Sequence, residues 1–178
     1  MVGAGIAAGA ALLAASLTLG TAMRIQVLAL GTRMPDWVNA GVAAYRQRLP
    51  RTWQLQLIEL PLAKRGRKPV TEQVQADEGR RLLAAVPPAS QLIALHEHGA
   101  QWSTAQLATA LTDWSHDGRD RTLVIGGPDG LSPEVLTQAE LHWSLSKLTL
   151  PHALVRIIVL EQLYRAWSLL NNHPYHRA

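Results

Sequence analysis

The sequence predicts an α/β domain with a mostly parallel sheet flanked by helices, and three observations carry that prediction. Apolar runs of strand length alternate with helical patterns from residue 23 onward. The runs are near-continuous rather than alternating, as in strands covered on both faces. Turn and cap signals separate them at the spacing of βαβ units. Strands are expected at 24–30, 53–60, 91–96, 121–126 and 145–150, all rich in Val, Ile or Leu. Helices are expected near 35–48, 71–85, 103–115, 132–140 and 153–170.

Local chemistry supports these elements. Pro87-Pro88 punctuates the end of the second helix, and Asp117-Gly118 that of the third. Ser103 followed by Gln106 is a capping box, in which each side chain satisfies an orphan N–H of the first turn. Ser132-Pro133 places an N-cap before a proline whose missing N–H costs nothing there. The last helix is apolar almost all round and is expected in the core or a subunit interface.

At 178 residues the chain suits one domain, and no repeat or linker divides 23–178. There is no cysteine, which excludes disulfides, thiolate chemistry and cysteine-based zinc sites and suits a reducing cytoplasm. A net charge of +4 favours a polyanionic partner, nucleic acid before anionic membrane. Residues 1–22 are uncharged and mostly Ala, Gly and Leu. Gly20-Thr21-Ala22 resembles a small-x-small cleavage site, yet the positive segment of a secretory signal is missing. The many small residues also make a weak membrane span. Met23 is therefore read as the natural start, with 1–22 outside the fold and no membrane association expected.

Parallel sheets bind ligands at the carboxyl ends of their strands, so the loops there are the candidate sites. One holds His96-Glu97-His98-Gly99, one Gly126-Gly127-Pro128-Asp129-Gly130, and one ends in Pro151-His152. The glycine loop matches neither the GxGxxG fingerprint nor the GxxxxGK[ST] phosphate loop. It is either a tight strand–helix turn or a cradle that lets backbone approach a ligand. In 144–152, hydroxyl residues alternate with leucines, as in a core strand or in a site that sandwiches an adenine. His96 and His98 are expected to diverge if they lie on a strand, and no metal site is expected. Lys64-Arg65-Gly66-Arg67-Lys68 suits sequence-independent phosphate contact or a solvated loop. Glu161 and Arg165, four apart, share a helix face, which makes either a surface ion pair or an arginine held for a ligand. The tail 171–177 gathers Tyr175, two histidines and Arg177, which are groups that stack on bases and touch phosphates.

These motifs together resemble the bacterial large-subunit rRNA methyltransferase H family, minimal members of the SPOUT superfamily. The likeness is carried by Gly31-Thr32-Arg33-Met34-Pro35-Asp36-Trp37, Ile125 to Pro133, Leu148 to His152, Glu161 to Ala166 and Asn172 to Arg177. It covers 23–178 and departs at His96-Glu97-His98. The resemblance implies a C-terminal deep trefoil knot, a homodimer in which each tail completes the partner's site, and S-adenosyl-L-methionine as cofactor. It implies N3 methylation of a pseudouridine in 23S rRNA on the assembled ribosome. Cofactor contacts would fall on Leu95, Gly127, Ser146, Lys147, Leu148, Thr149, Leu150 and Pro151. His152, Arg165, Tyr175 and His176 would serve catalysis, and Lys64, Arg65, Arg67, Lys68 and Arg177 would meet RNA. The rival readings are a non-catalytic ribosome-binding module and a protein tethered by its leader.

Overall fold

A computed structural model describes residues 23–66 and 70–177, apart from the side chain of His176. The leader 1–22 and two cations of the basic cluster, Arg67 and Lys68, lie outside the described residues. Five parallel strands form one sheet in the order β2-β1-β4-β3-β5, with β1 at Ile25–Leu30, β2 at Gln56–Leu60, β3 at Gln91–Gln101, β4 at Arg121–Ile125 and β5 at Leu141–Ser144. The connecting helices are α1 (Asp36–Arg46), α2 (Thr71–Ala85), α3 (Thr104–Asp117), α4 (Pro133–Gln138) and α5 (His152–Leu170).

Strand β1 shows why the apolar runs are continuous. Ile25, Val27 and Ala29 enter one core with α1, α3 and α5, while Leu28 and Leu30 enter a second core with α2 and α4. Side chains alternate between faces, and both faces are covered, so every position of β1 but Gln26 is apolar, and Gln26 too is buried. The caps also form as expected. Ser103 Oγ accepts from the Gln106 amide at 3.2 Å, Gln106 Oε1 accepts from the Ser103 amide at 2.8 Å, and Ser132 Oγ accepts from the Val135 amide at 3.3 Å.

Two expectations need correction. The fifth strand is not 145–150 but Leu141–Ser144. Beyond it the serines bond locally, since Ser144 Oγ donates to the Ser146 carbonyl and Ser146 Oγ accepts from the Leu148 amide, both at 2.9 Å. Such side-chain bonds draw the backbone away from a ladder. Strand β3 does not stop at 96 either. It runs to Gln101, with a bulge that pairs both Leu95 and Ala100 with Trp143. Gly99 permits this, because a Cβ there would stand 2.6 Å from the His142 carbonyl carbon.

Helix α5 buries Val159, Leu160, Leu163 and Ala166 but leaves Leu154, Ile157 and Ile158 half-exposed. Within one chain its apolar surface is therefore only partly covered. Among the described residues, no helix is long and apolar enough to cross a membrane.

Candidate active site

The middle of β3, where its bulge begins, and the carboxyl ends of β4 and β5 close around a cavity of about 800 Å³, within the range of small-molecule sites. Its wall consists of 95–97, 125–131, 143–146 and 148–152, with Gln75 and Val155. The three loops singled out above thus converge, although 95 and 148 are far apart in sequence. Leu95, Gly127, Ser146, Leu148, Thr149, Leu150, Pro151 and His152 all line the cavity. Lys147 is exposed and does not.

The glycine loop is both a tight turn and a wall. The Gly130 amide donates to the Gly127 carbonyl at 3.0 Å, and Gly130 takes φ +83°, where a Cβ is strained. Asp129 is pinned from two sides: Gln75 Nε2 donates to its carbonyl, and Arg65 pairs with its carboxylate at 2.6 Å. Arg65 belongs to the basic cluster, so that cluster begins at the rim of the cavity. Behind Gly127 lies Glu78, whose Oε1 accepts from the Ala63 amide at 3.0 Å. A Cβ at position 127 would stand 3.0 Å from both Glu78 Oε2 and Leu62 Cδ2. Gly127→Ala is expected to cost about 1–2 kcal/mol by overpacking, read as a lowered Tm, and to weaken ligand uptake by displacing the loop.

The histidines do not diverge. His96 and His98 have ring centroids 5.3 Å apart, and His96 lies 6.1 Å from His142. Positions i and i+2 of a strand share a face, which is why the earlier expectation fails. Burial, followed by His98 and His142, holds the His96 imidazole below its ordinary pKa, against the opposing charge of Glu97. Glu97 also accepts from Thr149 Oγ1 at 3.1 Å and so ties β3 to the segment before α5.

His152 opens α5 at the cavity edge. One turn later Arg156, only 1% exposed, donates to the Leu30 and Gly31 carbonyls at 2.8 and 2.7 Å and pairs with Glu59. Burial first, and then the Arg156 charge, holds His152 below its ordinary pKa and thus neutral.

The other candidate catalytic residues lie elsewhere in the chain. Arg165 is thirteen residues beyond His152 on the same helix, or roughly 20 Å along its axis. Its Nε donates to Glu161 Oε1 at 2.8 Å, and its guanidinium stands 4.9 Å from the Tyr175 ring centroid. Tyr175 donates to Glu161 Oε1 at 3.1 Å and lies 3.3 Å from the Tyr45 hydroxyl. The guanidinium of Arg48 lies 5.9 Å from the opposing Tyr175 centroid. Burial, then the Tyr45 hydrogen bond, then Glu161 raise the Tyr175 pKa, so the phenol stays protonated. Arg177 and Lys64 are exposed. Sequence reasoning missed Tyr45, Arg48, Glu78 and Arg156 as parts of these clusters. Only Arg156 left a signal, a cation inside an apolar helix.

Residues 23–176 match the family model described as "Predicted SPOUT methyltransferase". The chain belongs to the SPOUT methyltransferase family. Among curated relatives of this SPOUT protein, the Ribosomal RNA large subunit methyltransferase H of Nitrosococcus oceani is 55% identical over 88% of this chain and 99% of its own. The protein of the same name from Hydrogenovibrio crunogenus is 50% identical over 87% and 99%. A solved structure, a probable methylase family protein from Haemophilus influenzae Rd KW20, aligns with TM-score 0.51 and 16% identity over 84% of this chain and 67% of that one, a likeness of fold alone.

Proposed function

We propose that this SPOUT protein is a cytoplasmic methyltransferase of large-subunit rRNA that uses S-adenosyl-L-methionine to methylate N3 of a pseudouridine in 23S rRNA, on the assembled ribosome and as a homodimer. Residues 23–178 act as one domain, with a C-terminal trefoil knot. One observation carries the cofactor assignment. In a chain of net charge +4, the described residues lining the cavity include the carboxyl groups of Glu97 and Asp129 and neither lysine nor arginine. Such a lining supplies no cation to hold a phosphate and accommodates a ligand bearing a sulfonium. When bound, the cofactor supplies a methyl group whose bond to sulfur breaks toward sulfur, leaving a neutral thioether.

The chain's own residues do the rest. Leu148, Leu150 and the backbone of 146–151 hold an adenine, and Leu95 and Gly127 close the opposite wall. His152, kept neutral, accepts the imide proton from N3, and the nitrogen anion so formed takes the methyl. Arg165 from the partner copy stabilises that anion, and the partner's tail brings Tyr175 to stack on a base taken out of its helix, with His176 and Arg177 beside it. The half-exposed apolar side of α5 supports pairing between copies. Lys64, Arg65, Arg67 and Lys68 contact phosphates.

Alanine at His152, Arg165 or Tyr175 is expected to slow methyl transfer by about 10²-fold or more with cofactor affinity, measured by calorimetry, unchanged. Full turnover in all three variants would remove the assignment. Mass spectrometry of rRNA nucleosides from a deletion strain tests the target, which is a missing methylated pseudouridine.

A further inference from the structure

Glu78 is the least explained polar side chain beside the cavity. It is 1% exposed, and although Oε1 accepts from the Ala63 amide, Oε2 is buried without any hydrogen-bond partner. That free oxygen would stand 3.0 Å from a Cβ at position 127, so only a glycine backbone separates it from the cavity. A buried acceptor left unpartnered costs free energy, more so when it carries charge. Something besides stability must account for placing a carboxylate there, since a hydrophobic residue of similar size would pack against Leu62 at lower cost.

We propose that Glu78 is a specificity-determining residue, a buried counter-charge that makes the cavity prefer a sulfonium methyl donor over the neutral thioether left after transfer. The inference rests on the cofactor reading above and extends it. Glu97 is exposed at the mouth, and Asp129 is already neutralised by Arg65. Glu78 has no cationic partner among the described residues, and its field is poorly screened because water is excluded around it. Donor and product share the adenosine and the amino-acid group and differ by one methyl and one positive charge. A carboxylate behind the wall, carrying its charge while the sulfonium is bound, favours the donor and helps the spent product to leave.

The test is calorimetry of the full-length wild type, Glu78→Gln and Glu78→Asp with S-adenosylmethionine and with S-adenosylhomocysteine, alongside Tm without ligand. Glutamine keeps the shape and removes the charge. It is expected to weaken sulfonium binding about tenfold while leaving thioether binding within about twofold. Aspartate keeps the charge and should retain the wild-type preference even where Tm falls. Equal changes for the two ligands in Glu78→Gln, or none, would overturn the proposal. If that variant does not fold, the wild type alone decides: a thioether bound as tightly as the sulfonium, or more tightly, overturns it. Wild type that takes up neither ligand would sink the cofactor reading itself, a distinct result.

Discussion

Mixing two inactive variants is expected to restore activity. His152→Ala spoils the cavity end of α5, and Arg165→Ala spoils the far end, roughly 20 Å away along the helix axis. If each working site takes its cavity from one copy and its arginine and tail from the other, either variant alone has no intact site. In a mixed dimer, one of the two sites pairs the intact cavity of the Arg165→Ala copy with the intact helix end of the His152→Ala copy. Random pairing makes half the dimers mixed, so co-expressed variants should recover about a quarter of wild-type turnover. A mixture no more active than its two components would mean that copies do not share sites. The convergence would then have to arise within one chain, which the separation along α5 opposes.

Removing the buried guanidinium of Arg156 has the largest expected effect on stability. In Arg156→Met the Leu30 and Gly31 carbonyls lose their donor at the ends of the sheet, and Glu59 loses its partner. Glu59 is 33% exposed and can rehydrate, so the two carbonyls carry most of the loss. Breaking a buried charge network of this kind costs about 3–5 kcal/mol, or on the order of 10 °C in Tm for a domain of this size. The same variant reads out His152. If His152 is the base, it must be neutral to accept a proton, and transfer is expected to fall off below its pKa. Arg156 is the second cause, after burial, of the lowered His152 pKa. Without it the pKa rises part of the way back, and the acid limb of the pH–rate profile moves to higher pH. For the wild type the linkage has the matching sign. The unfolded chain binds the His152 proton more readily than the folded one, so stability is lost as pH falls from about 6.5 toward the lower pKa of the folded chain. An acid limb that stays in place in Arg156→Met would remove Arg156 from control of His152.

Much of the cavity was legible before the fold was known. Gly126–Gly130 and the segment ending at Pro151-His152 announced themselves through glycines, a proline and a helix start, because local backbone demands write themselves into local residues. The fifth strand was misplaced for the converse reason. Leu148 and Leu150 look like core, but they face the cavity or its mouth, while Leu145 both packs on the core and lines the cavity, and a cavity wall is apolar as well. The bulge after Leu95 depends on Gly99 meeting the backbone of His142, a contact across two strands that no local pattern announces.

From the sequence alone came the alternation of strands and helices, the caps at Ser103 and Ser132, and the list of loops with chemistry in them. Periodicity and capping are properties of neighbours along the chain, so the chain records them. Tertiary structure decided which strands adjoin, that Glu78 lies behind Gly127, and that Tyr45 and Arg48 flank a tyrosine some 130 residues later. Those are matters of distance through space, set by how sheet and helices pack, and the order of residues does not encode them locally.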